Sequence, residues 1–148
     1  MDFITTPPDR DVFTWRQVHK VGSNLRKGLP YNEEILCRFL EHQAVLCDSL
    51  MEIATDTVRC LIYPFNENEG SIRPDSGDYV FAARVKTHGT LVEKLRRMPN
   101  FPLENIWDVA GFRFDCDLTL SEQTEIAELF KKDFLNAGAS KVEISDMR

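Results

Sequence analysis

Apolar positions recur with a helical period in some stretches of this chain and with a two-residue period in others. Thr14 to Lys27 reads as a helix closed by Gly28 and Pro30. Asn32 is placed to cap the next one, with Glu33 and Glu34 in its first turn. From there Ile35, Leu36, Phe39, Leu40, Leu46, Leu50, Ile53, Ala54, Val58, Leu61 and Ile62 keep the period until Pro64. That predicts one amphipathic helix of about eight turns, or two that meet near Cys47. Asn66 to Tyr79 is polar and interrupted by glycine and proline, which marks a loop. Beyond it Tyr79–Val85 reads as a strand, Thr87 to Met98 as a helix and Phe112 to Leu118 as a strand. Ser121 to Ala137 forms a further helix closed by Gly138, and Lys141 to Ser145 a third strand.

The expected fold is α+β: N-terminal helices followed by a mixed β-sheet with flanking helices. Three regions follow from it, a helical one over 1–65, a loop over 66–78 and a sheet-bearing one over 79–148. Ending at the third strand would leave an exposed sheet edge.

Composition narrows the class. A chain of 148 residues with 43% hydrophobic and 28% charged positions is that of an ordinary globular domain. No run is long and apolar enough to span a membrane and the N-terminus lacks the basic and apolar segments of a signal peptide, so a cytoplasmic protein without membrane partners is expected. Cys37, Cys47, Cys60 and Cys116 have no zinc-finger spacing with His19, His42 or His88 and read as buried free thiols. Trp15 and Trp107 read as core or edge aromatics, and Lys131 and Lys132 as the charged end of a helix.

Charge is distributed unevenly. Residues 84–97 hold five of the eighteen Lys and Arg residues against one acid, Glu93, while the whole chain nets −6. The remainder therefore nets −10, which leaves a local cationic island in an acidic protein. Arg84 and Lys86, two apart on a strand, share a face. Thr90, Lys94 and Arg97 line one side of the following helix, beside a stripe of Leu91, Leu95 and Met98 that can enter a core. With the open N-terminus of that helix, reached through His88-Gly89, this arrangement suits a polyphosphate. Such a flank is more often simply solvated, and T90-L-V-E93 fits a capping box that would occupy Thr90 and Glu93. The segment N105-I-W-D-V-A-G-F-R-F-D-C-D117 adds an acid, Asp108, five residues before Arg113. An arginine at a strand's start can hold a phosphate or stack on a base while the carboxylate holds Mg²⁺. Equally, Asp108 can cap or pair with Arg113, while Asp115 and Asp117 read as a solvated strand face.

R84-V-K86-x3-T90-L-V-E-K94-L-R-R97 followed by I106-W-D108-V-A-G111-F-R113 resembles the opening half of the RelA/SpoT-type alarmone synthetase domain. The likeness covers about Tyr79 to Arg148, with Thr90 where that family more often has serine. It implies a nucleotidyltransferase-like fold and transfer of a pyrophosphoryl group from ATP to the 3′-hydroxyl of GDP or GTP, making (p)ppGpp in the stringent response. By the same resemblance Arg84 and Arg113 sandwich the adenine, and Lys86, Thr90, Lys94 and Arg97 hold the ATP phosphates. Asp108 binds Mg²⁺, with Asp108 and Lys94 the catalytic pair. Such chemistry depends on charge neutralisation and in-line positioning.

The family continues with G-Y-R-x2-H and E-x-Q-I-R-T segments that supply the acceptor guanine's tyrosine and a second metal ligand, and neither is in this sequence. The chain thus reads as the donor half of a site, cut short at Asp146-Met147-Arg148. Three alternatives stand beside synthesis. One is a toxin that pyrophosphorylates the tRNA 3′ end, disfavoured by the acidic remainder. The second is a non-catalytic nucleotide- or partner-binding module, and the third a helical interaction module over 14–63. Homo-oligomerisation or an antitoxin partner would fit small single-domain members of the family.

Overall fold

In the computed structural model, Thr14 opens the first helix by a reciprocal pair of bonds. Its hydroxyl accepts from the Gln17 N–H at 3.3 Å, and the Gln17 Oε1 accepts from the Thr14 N–H at 2.7 Å. Helix α1 spans Trp15–Lys27 and ends on Gly28, whose φ of 68° is left-handed backbone that glycine adopts without a Cβ penalty. Asn32 caps α2 (Glu33–Phe65) by accepting from the Ile35 N–H at 3.2 Å. This helix is continuous through Cys47 and runs one residue past Pro64 rather than stopping before it. A proline in the last turn removes only the one bond its N–H would have given.

The described residues are 12–65, 79–116 and 118–145, less the side chains of 62–65, so the loop expected over 66–78 and Asp117 lie outside them. Strand β1 is Tyr79–Val85, helix α3 His88–Arg97, strand β2 Ala110–Cys116 and helix α4 Leu120–Asn136, with a 3₁₀ turn at Leu103–Asn105. The α+β class holds, but the sheet differs from expectation. Among the described residues it has two strands, β1 beside β2. Tyr79 packs on Phe114 and Phe81 on Phe112, so the strands run antiparallel and the sheet is not mixed. Lys141–Ser145 forms no strand. Lys141 pairs with Glu143, and Ile144 and Ser145 are exposed; among the described residues no strand lies beside this stretch to take its backbone bonds.

Two compact units divide the chain, with boundaries inside α2, between Cys47 and Asp48, and inside both strands. One comprises, of the described residues, 12–47 and 84–111. Its core joins Phe13, Val18, Val21 and Leu25 of the α1 region with Ile35, Leu36 and Phe39 of α2. Leu91 and Leu95 of α3, then Leu103, Ile106 and Val109, complete it. Helix α1 approaches the 3₁₀ turn so closely that a Cβ on Gly22 would lie 2.5 Å from the Leu103 Cβ. Arg26 reinforces the same side, donating to the carbonyl of Leu95 at 2.9 Å and to that of Phe101.

The other unit contains the rest of α2, the remaining strand residues and α4. Phe81 and Phe114 stack at 4.8 Å between centroids, Phe130 and Phe134 of α4 meet Phe114 and Phe112 edge-on, and Tyr79 closes the cluster. Helix α4 is fixed to α2 by Thr57, whose buried hydroxyl lies 2.6 Å from Asp133 Oδ2. A capping box of Thr119 and Glu122 starts α4. The four cysteines carry no disulfide, and only Cys47 is buried; Cys37 and Cys60 are exposed and Cys116 is intermediate. The expectation of four buried thiols is corrected, since Cys37 and Cys60 fall on the outer face of α2.

Candidate functional site

Helix α3 presents the island. Thr87, not Thr90, is its N-cap: the Thr87 hydroxyl accepts from the Thr90 N–H at 3.4 Å, and the Thr90 hydroxyl donates back to the Thr87 carbonyl at 3.0 Å. The capping box expected at Thr90 and Glu93 is therefore absent, because the helix begins one turn earlier. His88 and Gly89 are its first turn rather than a flexible approach, and the His88 ring stacks on Tyr31 with a 2.9 Å bond from ring nitrogen to phenol oxygen. Leu91 and Leu95 are fully buried, as their stripe predicted. They fix the rotation of α3 and hence the direction of Lys94.

Lys86 lies just past the end of β1, where its N–H donates to the Val109 carbonyl at 2.7 Å. That bond puts Lys86 alongside Asp108. The Lys86 Nζ lies 3.0 Å from Asp108 Oδ2, and Lys94 donates to Oδ1 of the same carboxylate. The lysine side chains retain only 14% and 24% of their exposure, whereas that of Asp108 retains 52%. Burial alone would raise the Asp108 pKa, but bonds and charge from Lys94 and Lys86 outweigh it and hold the carboxyl at about 2. Two cations thus converge on one anion and leave a net charge of +1 at a partly open position.

The other expected ligands are placed differently. Arg84 and Arg97 are exposed and make no ion pair among the described residues. Arg97 lines a shallow groove with Gly89, Glu93 and Arg96, on the flank of α3 next to the one that carries Lys94. Arg113 belongs to the second unit, where it pairs with Asp115 at 3.0 Å. Pairing of Asp108 with Arg113 is thereby corrected: the acid's partners are Lys86 and Lys94. Trp107, read from sequence as a core or edge aromatic, is 88% exposed.

Among the described residues no three His, Cys, Asp or Glu side chains gather to hold a metal. Both oxygens of Asp108 are already held by ammonium groups, so these residues do not fit a resident Mg²⁺ ion.

Part of the chain has relatives. Over 73 residues it is 40% identical to an uncharacterized protein of Mycobacterium bovis and to uncharacterized proteins from two strains of Mycobacterium tuberculosis. That segment is 49% of this chain and 26% of each relative, so the chain spans about a quarter of the length of the curated relatives it matches. No family model matches the chain. No solved structure matches it significantly. Among the described residues, no helix is long and apolar enough to cross a membrane.

Proposed function

We propose that the unit built from 12–47 and 84–111 binds the polyphosphate of ATP at Lys86 and Lys94, as the donor side of pyrophosphoryl transfer to the 3′-hydroxyl of GDP or GTP. The observation that carries this reading is the convergence of two poorly exposed lysines on one carboxylate. A phosphate oxygen can take the place of a carboxylate oxygen beside an ammonium group, and a triphosphate brings more charge than Asp108 does. Displaced in this way, Asp108 stays next to the phosphates as a negative group that limits how tightly they are held. Any Mg²⁺ at Asp108 then arrives with the nucleotide, and none of the roles given to the protein's residues uses it. Thr90 and Arg97 keep, within the same proposal, the phosphate-ligand roles that the alarmone-synthetase resemblance assigns them. The nucleotidyltransferase-like architecture belongs to it as well.

Binding without transfer is the second reading, favoured by the engagement of both Asp108 oxygens with lysine. The test is incubation with γ-labelled ATP and GDP or GTP, alongside equilibrium binding of ATP. Saturable ATP binding is expected, and labelled GDP or GTP selects the transfer reading, with Lys94→Ala then lowering transfer by on the order of a hundredfold. ATP bound without transfer selects the second reading, and no ATP binding refutes both.

A further inference from the structure

Beside the ion pair lies a pocket of about 370 Å³ lined by Lys94, Met98, Phe101, Ile106, Trp107 and Asp108. All of these residues belong to the same compact unit. Its apolar part is made by Met98, Phe101 and Ile106, and Ile106 is itself anchored in the core. Trp107 stands at this pocket almost fully exposed, although a large aromatic ring left in water forgoes the burial that usually places it. The segment that carries it is firmly seated, since Ile106 and Val109 on either side are buried. The exposure of Trp107 is therefore set by the fold and is not a loose loop's accident.

The pocket's other wall is charged. Lys94 and Asp108 line it directly, and with Lys86 they give the net positive balance described above. An occupant that matches both walls has a flat apolar ring joined to a group of strong negative charge. The volume lies near the lower end of the range for small-molecule pockets, which suits a single ligand of that kind.

We propose that this pocket seats the ring of a purine nucleotide, stacked on the Trp107 indole with Met98, Phe101 and Ile106 beneath it, while the nucleotide's phosphates reach Lys94 and Lys86. The ring site rests on the reading that the lysine pair takes phosphate. It adds a group, Trp107, whose contribution is separable from that of the lysines, because an exposed indole can be removed without disturbing the core.

The chain has two tryptophans, so a Trp15→Phe background leaves Trp107 as the only indole. Trp15 packs edge-on against Phe13 and Phe39, contacts that phenylalanine can keep. In that background the intact chain is titrated with ATP, GTP, GDP and inorganic tripolyphosphate, following Trp107 emission and, in parallel, binding by calorimetry. Purine nucleotides are expected to quench the emission saturably, while tripolyphosphate binds with little quenching. Trp107→Ala should weaken nucleotide binding by about 5- to 100-fold, the usual loss when a base's aromatic partner is truncated, and leave tripolyphosphate affinity unchanged. Trp107→Phe should restore most of the loss. Nucleotides that bind Trp107→Ala as tightly as wild type overturn the ring site and leave the phosphate site standing. Quenching by nucleotides without any binding of tripolyphosphate keeps the ring site and refutes the lysine reading beneath it. Emission that responds to protein concentration alone, and not to nucleotide, means that a second copy covers the pocket and overturns the proposal.

Discussion

Asp108→Asn removes the charge that Lys86 and Lys94 share while keeping the side chain's size. The folded carboxyl sits at about 2 against an ordinary 3.8, and a shift of that size corresponds to roughly 2 kcal/mol of stability by linkage. Asp108 is 52% exposed, so solvent screening reduces the expected contribution to about 1 kcal/mol. Because the folded value is the lower one, the contribution is fully present above about pH 4 and is lost as pH falls through about 2. Urea unfolding followed by tryptophan emission measures it in the right place, since Trp15 and Trp107 both belong to the unit that contains Asp108. Near neutral pH the variant should unfold at lower urea by the equivalent of about 1 kcal/mol, and the gap should close as the wild type approaches pH 2. A gap that survives acid would show that the ionised carboxylate is not its source. No gap at neutral pH would show that water already screens both pairs. The same variant should bind tripolyphosphate more tightly than wild type, because the competing anion has gone.

Gly22→Ala should destabilise the same unit by about 1 kcal/mol, read from its urea midpoint. The clash with Leu103 at 2.5 Å forces backbone movement costing about 1–3 kcal/mol, against about 1 kcal/mol gained in helix propensity. An unchanged or higher midpoint would refute the close approach of α1. In the second unit, Thr57→Val should cost about 1–2 kcal/mol by leaving Asp133 without its hydroxyl partner, seen as faster amide exchange along α4, whereas Thr57→Ser should not. Equal exchange in both variants would mean that Thr57 contributes packing alone.

Local chemistry made most of the elements readable. Thr14, Asn32 and Gly28 each mark a helix end by a bond or a backbone angle that their residue type favours, and the bounds of α1 and α3 followed to within a residue. The alternative capping box at Thr90 and Glu93 does not form because Thr87 and Thr90 are both plausible caps on propensity and Thr87 starts the helix one turn earlier. Lys141–Ser145 alternates like a strand, but alternation does not supply a neighbour to pair with. At the site, the residue types were legible and their partners were not. Nearness in sequence offers Arg113 as one possible partner for Asp108, whereas the bond between the Lys86 N–H and the Val109 carbonyl brings a more distant lysine to it. Trp107 reads as a core or edge aromatic because nothing local distinguishes an indole that will be buried from one that will stand in water.

The unit that carries Lys86, Lys94 and Asp108 is assembled from two stretches separated by the whole of 48–83. During synthesis, Phe13, Val18, Leu25 and Phe39 emerge long before Leu91, Leu95 and Val109, the residues that cover them. At roughly 5–20 residues per second the early half waits several seconds with its apolar face uncovered. The nascent chain therefore passes through an interval in which a chaperone, or another ribosome's product, can reach a surface that the finished protein never shows.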